Sequence, residues 1–387
     1  MLVLNGRALD FHNFQSDAKN AIIRVSAQPN RPNPLRKREA FLVTDQNPPE
    51  GFDMYIGVAK TASALKRISL DARTIILPDE FEYIADGDVL RIWPGQKQVR
   101  VLYRRNSSYN YFLTTERCNH YCLMCSQPPK DIDDSWIIED ILTAIPLIDQ
   151  ATQEIGFTGG EPFLLGDKFL RVLRTMKSYL PNTGIHILSN GRLFADEEFA
   201  KRYADIDHSD MMVGIPIYSD VSTIHDYVVQ SDNAFDETLR GILNLKRYGQ
   251  KVEIRVVIHQ QTYSRLPQLA EFIVRNLTFV DQVALMGLEI TGFTRANLPK
   301  LWIDPSEYQS ELYKAVTMLA DSRMRVSIYN HQLCLLDRRL WPYAKKSISD
   351  WKNEYMPECK GCREQENCGG FFSSAKIRYS DHIKAFA

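Results

Sequence analysis

Two rhythms of apolar and polar positions divide the chain. Early on, short β-prone runs at 21–25, 40–44, 55–58, 74–77, 89–93 and 99–103 alternate with Asn-Gly, Asp-Gly and Pro-Gly turn signals. Asp86-Gly87-Asp88 opens into the run at Val89, and Pro94-Gly95 returns it as a hairpin. This rhythm predicts a β-rich N-terminal domain over residues 1–108. Beyond Tyr109, buried-type strands at 111–115, 154–158, 184–189, 211–218, 252–259 and 282–290 are separated by amphipathic stretches at 168–180, 196–203, 235–248 and 266–277. Six strand-and-helix units in succession predict an α/β fold over residues 109–304, its parallel sheet either doubly wound or curled into a barrel. A helix near 305–319, a strand near 325–329 and a cysteine-rich tail make up residues 305–387, a part too small to fold without a staple.

Composition narrows the function classes. A chain of 387 residues, 44% hydrophobic and 25% charged, can bury a large core. Its 47 basic and 48 acidic side chains nearly cancel, so no nucleic-acid partner is expected. The segment from Met1 to Asp10 lacks the basic and apolar regions of a signal peptide, and no run approaches membrane-spanning length. A cytoplasmic location with no membrane partner is the expectation. The Pro-rich, basic segment 28–38 reads as a solvated loop or as a docking strip for an acidic partner. Six of the seven cysteines fall in two tight groups, which suits metal ligation better than disulfides.

In α/β folds the loops at the carboxyl ends of the strands carry the chemistry. Cys118, Cys122 and Cys125 follow the first strand, Gly159-Gly160-Glu161-Pro162 the second, Asn190-Gly191 the third and Ser219 the fourth. Three thiolates in Cys-x-x-x-Cys-x-x-Cys spacing can hold three irons of a [4Fe-4S] cluster and leave the fourth iron open. The alternative is half of a zinc site. Structural zinc wants four ligands, and His120 is the only nearby substitute for a fourth thiolate. The glycines at 159 and 160 let a ligand approach the backbone, and Glu161 adds an acceptor for an ammonium group.

Together the triplet and the Gly-Gly-Glu turn resemble the radical S-adenosylmethionine (radical SAM) superfamily over about residues 109–300. The resemblance implies a partial (β/α)6 TIM-type barrel. It implies that Cys118, Cys122 and Cys125 bind a [4Fe-4S] cluster with an open iron, and that Gly159, Gly160 and Glu161 hold the amino group of S-adenosyl-L-methionine (SAM). Asn190, Ser219 and Arg255 stand where family members commonly contact SAM ribose or carboxylate. Met124 departs from the pattern, since the residue before the third cysteine is often aromatic and packs near adenine. His225-Asp226, after Ser219, resembles the Ser-x-x-x-x-x-His-Asp pattern of radical SAM enzymes that modify peptides. Read without that company, a His-Asp pair at a helix end is a structural cap.

Cys359, Cys362 and Cys368, with Cys334 upstream, supply four thiolates for a second [4Fe-4S] cluster or a zinc ion. Cys334 is equally read as a buried apolar thiol or a hydrogen-atom donor. Beside a radical SAM barrel this group resembles the auxiliary-cluster domain called twitch. The stretches Ser327-Ile-Tyr-Asn-His-Gln-Leu-Cys334, Lys346-Ser-Ile-Ser-Asp-Trp-Lys-Asn-Glu-Tyr355 and Cys368-Gly-Gly-Phe-Phe372, with the opening Leu-Asn-Gly-Arg-Ala, resemble the C-type radical SAM maturase of His-Xaa-Ser peptide systems. That resemblance implies an enzyme that cleaves SAM reductively to a 5′-deoxyadenosyl radical and modifies a ribosomally made precursor peptide or small His-Xaa-Ser repeat protein. The partners it implies are a second radical SAM maturase and a flavodoxin or ferredoxin reductant. Radical chemistry on a small metabolite, and a non-catalytic iron-sulfur electron-transfer or binding protein, are the alternatives.

Overall fold

The computed structural model describes residues 3–15, 20–44, 48–65, 68, 71–346 and 354–386, so residues 347–353 of the Lys346-to-Tyr355 motif lie outside the described residues. The chain forms two compact units: Met1–Phe112, Ser135–Ile155 and Val172–Thr183 in one, Leu113–Asp134, Gly156–Arg171 and Gly184–Ala387 in the other.

The first unit is built on strands β1 (Asn5–Arg7), β2 (Asp10–His12), β3 (Ala21–Ser26), β4 (Glu39–Leu42), β5 (Met54–Val58), β6 (Arg73–Leu77), β7 (Val89–Trp93) and β8 (Gln98–Tyr103), with short helices α1 (Asn33–Arg36) and α2 (Ala62–Leu65). They form one mixed sheet in the order β1-β8-β7-β3-β4-β5-β6-β2. Strands β3 to β6 run parallel, and the expected β7–β8 hairpin pairs antiparallel. Parallel strands buried on both faces carry apolar residues at every position. Here Ala40, Ile56 and Ile75 enter one core, while their neighbours Phe41, Tyr55 and Ile76 enter another. Strands β1 and β2, with three residues each, are too short to show a period in sequence.

Two of the four basic side chains in 28–38 are used internally. Arg31 grips Glu39 through Nε at 2.9 Å and Nη2 at 3.0 Å, and Arg36 donates to the carbonyls of Arg31, Glu50 and Pro29. A stronger tie joins β7 to α3 (Trp136–Ala144). The buried Arg91 guanidinium lies 4.1 Å from the Trp93 ring and 4.0 Å from the Trp136 ring, and pairs with Asp140.

A second sheet has seven strands: β9 (Asn110–Leu113), β10 (Glu154–Thr158), β11 (Gly184–Leu188), β12 (Met211–Pro216), β13 (Lys251–Ile258), β14 (Gln282–Gly287) and β15 (Val326–Tyr329). Neighbours in the sheet are neighbours in sequence, and β11 to β15 are parallel. The fold is a partial TIM-type barrel, as expected. The difference is its seventh strand: β15, read in sequence as part of the tail, pairs with β14 from Val283 opposite Val326 to Met286 opposite Tyr329. Helices α4 (Asp167–Tyr179), α5 (Glu197–Ala204), α6 (Ser222–Val229), α7 (Ala234–Arg247), α8 (Leu266–Asn276), α9 (Phe293–Ala296), α10 (Leu298–Leu301) and α11 (Gln309–Asp321) complete the order. Asp196 caps α5 by accepting from the Glu198 and Phe199 N–H groups. Among the described residues no helix is long and apolar enough to cross a membrane.

Replacing Arg91 with alanine leaves Asp140 without its partner and the two indoles without their cation. Breaking such a buried pair costs about 3 kcal/mol. Chemical denaturation of the Arg91→Ala protein is expected to show a loss of that order, whereas Lys60→Ala, at an exposed ion pair with Glu82, is expected to change little.

Candidate functional site

The loop leaving β9 bears the first three cysteines, and the turn leaving β10 lies against it. The Gly160 N–H donates to the Thr115 carbonyl and the Glu161 N–H to the Arg117 carbonyl, both at 2.8 Å. A Cβ on Gly160 would fall 2.0 Å from the Arg117 oxygen, and one on Gly159, whose φ is +154°, would fall 2.5 Å from the Thr115 oxygen. Backbone meets backbone here, which explains both glycines.

Glu161 is 2% exposed, and its carboxylate ties the turn to the end of β11. Oε1 accepts from the Phe163 N–H (3.0 Å) and the Ser189 hydroxyl (2.8 Å), and Oε2 accepts from the Asn190 N–H (2.6 Å). Three of its roughly four acceptor directions are taken, leaving about one for a ligand. Burial raises its pKa to about 7, against those three donors, which lower it. Behind the turn, Phe163 packs edge-on against Phe169, Phe194, Phe199 and Tyr203, a layer that excludes water from beneath the loops after β10 and β11.

The cysteine loop is clamped from two sides. The Tyr121 and Leu123 N–H groups donate to the Val229 and Val228 carbonyls at the end of α6. Opposite, the Phe293 N–H donates to the Cys125 carbonyl, the Thr294 hydroxyl to the Met124 carbonyl and the Asn297 amide to the Leu123 carbonyl. Residues 291–301, which follow the 282–290 strand read from the sequence, therefore buttress the loop. The only local signal is Gly292, which has φ +51° and whose Cβ would meet the Cys125 oxygen at 2.3 Å. Met124 is buried with Leu123, Tyr218, Val228, Val229 and Leu301, so its side chain is taken up by protein packing.

All three thiols titrate above their ordinary range because they are buried. Cys118 is pushed up to about 12 by burial and then by the charge of Glu161, Cys122 rises further, and Cys125 rises for the same reason. Cys118 also feels Cys125, and Cys122 feels both Cys125 and Cys118. Buried, mutually repelling thiolates need cationic charge among them, and iron supplies it. Among the described residues no three His, Cys, Asp or Glu side chains converge where a single metal ion could lie. A cubane imposes no such convergence, because each thiolate binds a different iron. The donor set and the glycine cradle fit a [4Fe-4S] cluster beside a ligand on the turn.

The other predicted residues are placed around this pair of loops. Asn190, 8% exposed, donates from Nδ2 to Asn119 at 2.7 Å and accepts at Oδ1 from the Arg192 N–H at 3.0 Å. Its carbonyl accepts from Thr238 on α7, and Gly241 on α7 comes so close that a Cβ would meet the Gly191 oxygen at 2.2 Å. The Ser219 hydroxyl accepts from the Val221 N–H and donates to Asp220, which Arg265 grips at 2.9 and 2.6 Å. Arg255 is engaged by its neighbours: its guanidinium donates to Glu253 at 2.6 Å and to the Met286 sulfur at 3.1 Å. Glu253 also faces His186 at 3.2 Å and Gln282 at 3.0 Å. Burial would raise the Glu253 pKa, but His186 and Arg255 overcome it and hold the carboxyl below its ordinary value. The His225-Asp226 pair has structural work. His225 Nδ1 accepts from the Tyr218 N–H (3.2 Å), and Asp226 accepts from the Phe235 N–H at the start of α7 (2.8 Å).

The four C-terminal cysteines, all partly buried, also come together. Burial raises Cys334, which feels Cys368 and Cys359, and burial likewise raises Cys359, which feels Cys368 and Cys362. Cys334 and Cys359 pack against Leu335, Met356, Phe371 and Ile383.

Gly160→Ala is expected to part the two loops and lower iron uptake at the triplet on anaerobic reconstitution by at least tenfold, read by iron and sulfide analysis with the far-UV spectrum retained. Glu161 gives a pH signature. A carboxyl raised from 4.5 to about 7 on folding contributes stability fully present below 4.5 and lost as pH rises through about 7. In the metal-free protein, the stability difference between wild type and Glu161→Gln should therefore change between these pH values and level off outside them.

Comparison with known proteins places the same segment. Residues 112–273 match the family model described as the radical SAM superfamily. The Fe-coproporphyrin III synthase of Methanosarcina barkeri is 30% identical over 170 residues, which are 41% of this chain and 39% of that protein. The GTP 3′,8-cyclase of Campylobacter jejuni subsp. doylei is 27% identical over 241 residues, 58% of this chain and 70% of the relative. The chain thus spans about two fifths of the first relative's length and seven tenths of the second's. Among solved structures, native anSMEcpe with bound AdoMet aligns over 56% of this chain and 62% of its own at 17% identity and TM-score 0.44. A radical SAM methyltransferase from Sphaerobacter thermophilus aligns over 63% and 73% at 13% identity and TM-score 0.43. The family model thus covers the strands that carry the cysteine loop and the Gly-Gly-Glu turn, and residues 112–273 are similar to the radical SAM superfamily.

Proposed function

We propose that this chain is a radical SAM enzyme that modifies a ribosomally made peptide of the His-Xaa-Ser type, working with a second radical SAM maturase and a flavodoxin or ferredoxin reductant. The observation that carries the enzymatic part is the contact of the cysteine loop with the Gly-Gly-Glu turn. Cys118, Cys122 and Cys125 would hold the [4Fe-4S] cluster, and Gly159, Gly160 and Glu161, with the loops bearing Asn190 and Ser219, would hold SAM. Bound together, the cluster and SAM supply the hydrogen-abstracting power of a carbon radical. The chain orients and shields. The glycines admit a ligand to the backbone, Glu161 offers one acceptor direction, and the aromatic layer around Phe163 keeps water out. Tyr218, buried and pushed well above its ordinary pKa by burial and then by Cys122 and Cys125, stays a neutral phenol.

Support for the peptide reading comes from the tail motifs of the sequence and from the paired cysteine groups. In this reading Cys334, Cys359, Cys362 and Cys368 hold an auxiliary [4Fe-4S] cluster. The names of the two relatives point to small molecules, which makes a metabolite the second reading. A cleft at the carboxyl ends of β13 to β15, walled on the other side by residues 369–380, bears on the choice. Arg378, 4.9 Å from the Trp302 ring, is the one cation among its lining residues, beside Glu289, Asn330 and Gln332. A triphosphate calls for several cations, whereas amide side chains and aromatic faces suit a peptide segment.

Replacing Cys118, Cys122 and Cys125 together with alanine should abolish 5′-deoxyadenosine formation under reducing, anaerobic conditions; continued formation would overturn the enzymatic reading. For the substrate, coexpression with a His-Xaa-Ser repeat protein and the partner maturase is expected to change the mass or the stereochemistry of that protein. Its recovery unaltered by both mass spectrometry and chiral amino-acid analysis, with active enzyme present, would count for the metabolite reading.

A further inference from the structure

The four C-terminal cysteines are gathered by three stretches far apart in sequence: Cys334 with its neighbours, Cys359 to Cys368, and residues 383–386. The last stretch contributes no thiol, yet it is wrapped into the site. Ile383 belongs to the buried cluster against which Cys334 and Cys359 pack. The Phe386 N–H donates to Cys362 Sγ at 3.4 Å, the Lys384 N–H reaches Cys334, and the Arg363 N–H returns to the Phe386 carbonyl at 3.0 Å. The Phe386 ring packs 5.3 Å from Trp341, and the Arg338 guanidinium lies 5.6 and 5.7 Å from the two rings. Across the site the Leu333 N–H donates to Cys368 Sγ at 3.5 Å, and Trp341 Nε1 holds the Leu333 carbonyl at 3.1 Å. Trp341 thus joins the segments that supply these sulfur-directed donors.

Backbone N–H groups aimed at ligating sulfurs stabilise negative charge on them, and such bonds raise the reduction potential of an iron-sulfur centre. A peptide segment laid over the thiols also keeps water and chelators from the metal. We infer that residues 383–386 are a clasp for the auxiliary centre, which they help retain and whose potential they raise through the Phe386 N–H bond to Cys362, with Trp341 as the post to which the clasp is fastened. The inference rests on the auxiliary-cluster reading above and adds residues that carry no metal-binding side chain.

The test uses the full chain, reconstituted anaerobically, in three forms: wild type, Phe386→Pro, which removes the N–H, and Phe386→Ala, which keeps the N–H and removes the ring. Iron content, chelator-driven iron loss and the potential of each centre by electron paramagnetic resonance are read, independently of any substrate. Wild type should hold about eight irons per chain, and the proline variant should lose about four of them roughly tenfold faster, with the retained auxiliary centre reducing at a more negative potential. The alanine variant should lose iron faster too, with its potential close to wild type. Four irons retained in every form, with an unchanged signal from the triplet's centre, report that the barrel is folded. Wild-type behaviour of the proline variant overturns the clasp, and equal potentials in the two variants overturn its sulfur-directed bond. Wild-type protein with only about four irons, or with zinc in the second site, instead overturns the auxiliary-cluster reading itself.

Discussion

The contact between two stretches of backbone, Thr115 to Arg117 on one and Gly159 to Glu161 on the other, is the constraint on which the site depends. With side chains at 159 and 160 the two loops would stand apart by the width of a methyl group, and the two 2.8 Å hydrogen bonds could not form. Once they form, the carboxylate of Glu161 has little choice but to turn toward β11, where the Ser189 hydroxyl and the Asn190 N–H receive it. The ends of three strands are then joined through one buried acid. The aromatic layer at Phe163 and the approach of α7 at Gly241 follow from the same closeness, since both fill space that a wider turn would occupy.

Much of this is legible in the chain because the barrel strands are continuous apolar runs ending in polar or glycine-rich loops. Strands β10 to β14 begin within a residue of their sequence-predicted starts, and most end one to three residues early, where the carboxyl-end loops leave the sheet. Helices α3 and α6 are not among the amphipathic stretches read from the sequence; α6 opens at Ser222, close behind the polar pair Ser219-Asp220. The role of β15 is hidden for another reason: Val326 to Tyr329 follow a helix and precede the cysteines, so nothing local says that Val283 to Met286 lie beside them. Strand pairing is a property of the sheet and not of the strand.

The predicted site residues divide by how local their signals are. The cysteines and glycines announce themselves, since few other uses exist for those residue types at those spacings. Arg255, inside β13, and Ser219, just beyond β12, are polar residues whose positions serve internal partners as readily as ligands, and here both have internal partners. His225 and Asp226 show the same ambiguity, each accepting a backbone bond, from Tyr218 and Phe235. The buttress of Thr294 and Asn297 was out of reach of any motif, because their acceptors are carbonyls about 170 residues earlier, at Met124 and Leu123.

The clamping of the cysteine loop has a consequence for how the protein acquires metal. A mobile loop would have to be ordered at the moment iron arrives, at a cost of about 1–2 kcal/mol for each residue fixed. In this chain the backbone at Tyr121, Leu123, Met124 and Cys125 is already bonded to α6 and to residues 293–297, so much of that ordering is done during folding. What remains at loading is mainly the exchange of three thiol protons for iron, a step governed by acidity and not by search. Metal insertion should then resemble the filling of a mould more than the folding of a strap around its cargo.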